Sequence, residues 1–131
     1  MGLFGGGRKA AERAEQAERD RQRDAVNAEV KRLQESGVQE MDVWLNRLQS
    51  TRSPDSQVLT EDLLVDAGPA PFPRFAPGFP DHGVIMVRAA VRAYGEAAAN
   101  HRKIDAYNAG DRTLSTFWES VSTYTGSLPS H

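Results

Sequence analysis

Residues 26–50, VNAEVKRLQESGVQEMDVWLNRLQS, decide the fold. Val26, Val30 and Leu33 stand at steps of four and three, and Val38, Met41, Leu45 and Leu48 at steps of three, four and three. That spacing gathers apolar side chains on one face of an α-helix. The two stripes are one residue out of phase across Ser36-Gly37. A glycine at the phase break predicts a kink at Gly37, or a stop and restart. Ser36 and Gln39 have the spacing of a capping box, which would open a second helix over about 37–50. Trp44 widens its apolar face and reads as a core residue.

Upstream, Arg8 to Glu35 contains neither Pro nor Gly and is rich in Ala, Glu, Arg, Gln and Lys, all strong helix formers. Arg8 with Glu12 and Glu15 with Arg19 sit four apart, where opposite charges meet on a helix surface. Through Arg23 the only apolar residues of this stretch are alanines. Burying alanine contributes too little to hold a helix down. The first half therefore projects into solvent, packs closely through Ala on another helix, or docks on a partner. Residues 1–7, MGLFGGG, read as a flexible arm with Leu3 and Phe4 as its apolar tip.

Downstream, TRSPDS at 51–56 is a loop signal, and Thr60 is placed to cap a short helix over Glu61–Asp66 that ends at Gly68-Pro69. Residues 68–80, GPAPFPRFAPGFP, hold five of the seven prolines and three of the five phenylalanines. Prolines at that density forbid a helix and favour an extended chain. Phe72, Phe75 and Phe79 must then dock, on this chain's helices or on another chain, because each buried ring is worth roughly 1.5–3 kcal/mol. Arg74, Pro77 and Pro80 also match the R-x-x-P-x-x-P spacing bound by Src-homology-3 domains, a short pattern that often arises by chance. A long helix over about 81–108 follows from Val84, Val87, Val91, Tyr94 and Ala98, and Asn108 to Asp111 is a turn. Leu114, Phe117, Val121 and Tyr124, with Trp118 beside them, predict a last helix over about 113–125.

The fold class expected is all-α: a long charged N-terminal helix and a C-terminal helical hairpin, joined by an extended Pro/Phe-rich segment. Four regions follow. Residues 1–7 are the arm, and 8–50 the charged and amphipathic helical region. Residues 51–81 hold the loop, short helix and Pro/Phe strap, and 82–131 the two-helix region.

The 131 residues carry 16 Lys+Arg against 18 Asp+Glu and no Cys. The missing cysteines exclude a disulfide scaffold, a thiolate zinc site and a cysteine nucleophile. Residues 1–24 hold six bases and five acids, 25–66 four and eight, and 67–131 six and five. Charges so interleaved argue against a nucleic-acid binder, leaving at most weak backbone contact by Arg19, Arg21 and Arg23. No apolar run nears the roughly 20 residues of a membrane span, and no signal peptide leads the chain, so a virion or the cytoplasm is the expected location.

Catalytic signatures are scarce. GLFGGGRK lacks the Lys-Ser/Thr pair of a phosphate loop, and no strand precedes it. His101 and Asp105 lie four apart but lack a third metal ligand, and no G-x-S-x-G motif is present. We therefore expect no enzyme, no cofactor and no metal. The expected role is a structural or adaptor subunit of a larger oligomeric assembly, with a bacteriophage virion component (capsid-associated, connector or tail) as the expected setting. It would act through coiled-coil-like helix packing and arm docking, with protein subunits, its own kind or neighbours, as partners. Leu3, Phe4, Val26, Val30, Leu33, Phe72, Phe75 and Phe79 are the candidate interface residues. The alternatives are a small cytoplasmic regulator or adaptor that binds one protein, and a minor helical ligand-binding domain or enzyme. The last would need a pocket among Tyr94, His101, Tyr107 and Trp118.

Overall fold

A computed structural model of the chain describes the backbone of residues 2–129 and the side chains of 7–129. Four helices follow one another: α1 (Gly2–Thr51), α2 (Glu61–Ala67), α3 (Asp81–Asn108) and α4 (Arg112–Gly126). Among the described residues there is no strand. The fold is all-α, with the long N-terminal helix and the C-terminal hairpin expected.

Of the two outcomes open at Gly37, the stop and restart does not occur. α1 runs unbroken for 50 residues, about 75 Å at the helical rise, and Ser36 caps nothing. The apolar stripe explains why. With Leu45 buried beside it, one inward line runs Val26, Val30, Leu33, Gly37, Met41, Trp44 and Leu48, all but the half-buried Val26 fully buried. They step by four, three, four, four, three, four, two copies of an 11-residue repeat at about 3.67 residues per turn, close to a straight helix. Gly37 is thus the missing member of one stripe, not the gap between two. Here α3 and the strap press on α1. A Cβ built on Gly37 would overlap Val91 Cγ2 and lie 3.0 Å from Pro73 Cγ. Residues 2–7, expected to stand apart as an arm, fall within the bounds of α1.

α3 occupies the middle, packed on α1 along one side and α4 along another, while α2 packs on α1. Its contact with α1 is close because small residues line it. Gly83 leaves room for Phe79 and Val30, and Gly95 for Met41. Val87, Val91, Ala99, Phe117, Trp118 and Val121 join the α1 residues in one core. The core therefore draws on the C-terminal half of α1 and is larger than the C-terminal hairpin alone.

Local signals set the helix ends. Thr60 caps α2 by accepting from the Leu63 amide at 3.2 Å. Gly68, with φ of 87°, closes it in a conformation that favours glycine. Asp111 caps α4 by accepting from the Leu114 amide at 3.0 Å. The Trp44 indole donates to Gly68 O at 2.9 Å and the Arg47 guanidinium to Ala67 O at 3.0 Å, so α1 pins the end of α2 where the strap begins.

Candidate functional site

Three surfaces stand out among the described residues. The first is the N-terminal half of α1. Every described residue from 7 to 25 is exposed except the half-buried Asp20. Ion pairs support its helicity: Arg8–Glu12 at 3.4 Å, Arg21–Glu18 at 2.7 Å and Arg23–Asp20 at 3.4 Å. Arg19 reaches Gln16 rather than the Glu15 expected from spacing. Each such pair contributes only a few tenths of a kcal/mol. The buried half of α1, however, supplies the helix nucleus, and extension from a nucleus costs little. Ala10, Ala14, Ala17, Ala25 and Ala28 fall on the side of α1 opposite the core stripe, and all are exposed. At the border, Arg32 bonds Glu29, which holds that carboxyl below its usual range and the guanidinium above its own.

The second surface is the outer face of α3. Met86, Ala90, Ala93, Ala97, Asn100, Ile104 and Tyr107 alternate in steps of four and three over three heptads, with no charge among them. Met86 is 49% exposed, Ile104 47% and Tyr107 64%. Seams of this spacing pair helices. Its spacing is fully legible in the sequence, yet none of its residues is among the expected interface residues.

The third surface is a groove of about 610 Å³ between the strap and the start of α3, lined by Phe72, Phe75, Phe79, Val84, Arg74 and Arg88 among others. Phe75 and Phe79 pack at 5.2 Å between ring centroids, and the Arg88 guanidinium lies 5.7 Å from the Phe75 centroid. Arg88 Nε is buried without a hydrogen-bond partner. An unanswered buried donor costs about 1–3 kcal/mol.

The expected interface residues divide between these surfaces and the core. Val30 and Leu33 are 4% and 7% exposed inside the chain's own core, so neither is open to a partner. The unbroken stripe carries them onto α3 and the strap. Val26 is half-buried beside them. Phe72, Phe75 and Phe79 are half-buried against the same core, so the strap docks within the chain while leaving ring surface on the groove. The side chains of Leu3 and Phe4 lie outside the described residues.

Tyr94, His101, Tyr107 and Trp118 do not converge on a pocket. Trp118 is buried in the core, Tyr107 points outward, and the Tyr94 hydroxyl donates to Asp42 Oδ1 at 2.6 Å. That bond, more than burial, raises the Tyr94 pKa. His101 Nε2 sits 3.5 Å from Asp105, both exposed. Among the described residues no three His, Cys, Asp or Glu side chains gather as metal ligands. None of the described helices is long and apolar enough to cross a membrane. Arg21 and Arg23 are engaged by the acids of their own helix. Comparison with known proteins finds no matching family model, curated protein or solved structure.

Proposed function

We propose that the chain is a non-enzymatic structural or adaptor subunit of a larger oligomeric assembly, with a bacteriophage virion (capsid-associated, connector or tail) as its setting. The observation that carries this reading is the N-terminal half of α1. Some 28 Å of helix, residues 7–25, stands clear of the core that anchors its other end. A chain that needed only its own core would gain nothing from such an extension, whereas a subunit gains a long surface with small residues on one side. The uncharged heptad seam on α3 supports the same reading. Nucleic acid is a weak partner at most, since the arginines of α1 alternate with acids that pair with them.

Light scattering across a concentration series tests the assembly. The full chain should grow in mass with concentration, and deletion of residues 2–24, which spares the core stripe, should weaken that growth. A monomer at every concentration overturns the reading. The genes flanking its own test the setting: portal, capsid or tail genes support a virion, and metabolic neighbours overturn it.

A further inference from the structure

The groove between the strap and α3 carries two cations and no acid on its walls. The other main clefts of the described residues each include an acid: Glu40, Glu61, Glu119, or Asp62 with Asp66. Among the described residues neither Arg74 nor Arg88 forms an ion pair. Arg88 Nε is buried and unanswered, with its guanidinium held over Phe75. The site therefore presents positive charge above an apolar floor.

The complementary feature stands on the same molecule. α2 turns Leu63 and Ala67 to the core and Val65 away from it. Val65 is 79% exposed, the highest value of any large apolar residue described. Glu61 and Asp62, four and three residues earlier, share its side of the helix, and Asp66 follows it. None of these acids forms an ion pair among the described residues. One copy cannot join the two features. α2 is pinned on α1 near Trp44 and Arg47, and there Val65 stays 79% exposed, with Glu61 and Asp62 bonded to neither Arg74 nor Arg88.

We infer that α2 of one copy seats in the Arg74/Arg88 groove of the next, with Val65 on the phenylalanine floor and Glu61 and Asp62 against the guanidiniums. This rests on the subunit reading above and adds its contact chemistry. The two patches differ, so the contact is head-to-tail and builds a ring, or a filament where the rotation does not close.

A charge-reversal exchange tests it, with mass followed by sedimentation velocity. One variant carries Arg74→Glu and Arg88→Glu, the other Glu61→Lys and Asp62→Lys, and circular dichroism checks that each is folded. Each alone should assemble at least about tenfold more weakly than wild type. An equimolar mixture should recover, because each reversed patch then meets its opposite and the two unreversed patches still match. If the groove pair fails to fold, Arg74→Glu alone, at an exposed position, replaces it. Wild-type assembly unmoved by either reversal overturns this contact and leaves the subunit reading standing. Weakening by the groove reversal alone, or a mixture that does not recover, also overturns it, since the groove then takes some other acidic segment. Wild type that never assembles removes the subunit reading itself.

Discussion

Gly37 works by having no side chain. The methyl of Gly37→Ala would meet Val91 on one side and Pro73 on the other. Overpacking of this kind costs about 1–3 kcal/mol, against a helix-propensity gain of about 1 kcal/mol. Denaturant unfolding should therefore show a net loss of stability. Gly7→Ala, with open space around its Cβ, should show none. An unchanged midpoint for Gly37→Ala would mean that the strap and α3 do not close on α1 as described. Tyr94 offers a pH-dependent test. The Asp42 hydrogen bond first, and burial second, raise its phenol pKa, so the folded state holds the proton longer than the unfolded chain. That stabilisation is complete below the unfolded phenol value of about 10 and fades as pH climbs through the folded value. Tyr94→Phe should cost about 1 kcal/mol at neutral pH and flatten the loss of stability above about pH 10. It should also remove a late phase from the tyrosinate absorbance titration. Gly37 shows where the sequence misled: counting only apolar side chains leaves a hole at the one stripe position where the fold needs no side chain.

At the scale of elements, α1 joins a packed helix to an unpacked one. Deleting residues 2–24 should leave the thermal midpoint of the core within about 2 °C, because no described side chain from 7 to 24 is buried. Far-ultraviolet circular dichroism should lose about 23 residues' worth of helix, the length removed. A large drop in the midpoint would mean that the extension packs on its own core. The bounds of α2, α3 and α4 were legible because caps and periodicity are local: Thr60, Gly68 and the turn before Asp111 mark their ends. The docking of Phe72, Phe75 and Phe79 within the chain was left open, since a proline-rich segment carries no sign of which surface receives it. The α3 seam was legible and was overlooked because the stripe on its other side already explained the helix.

At the scale of the whole molecule, one core of the described residues holds four helices and leaves a rod, a seam, a charged groove and the Val65 face of α2 on its surface. Val65 and Arg88 give no signal in the sequence: an exposed valine in a short helix has no period to betray it, and the orphaned Arg88 donor exists only once the strap has crossed α3. The central claim is that the free half of α1 serves assembly. Hydrogen–deuterium exchange read by mass spectrometry, at concentrations below and above the onset of oligomers, tests it most directly. Residues 7–25 should exchange fast in the dilute monomer and become protected as mass grows, while the buried segment from 30 to 48 stays equally protected throughout. Oligomers that form while residues 7–25 exchange as fast as in the monomer would contradict the account.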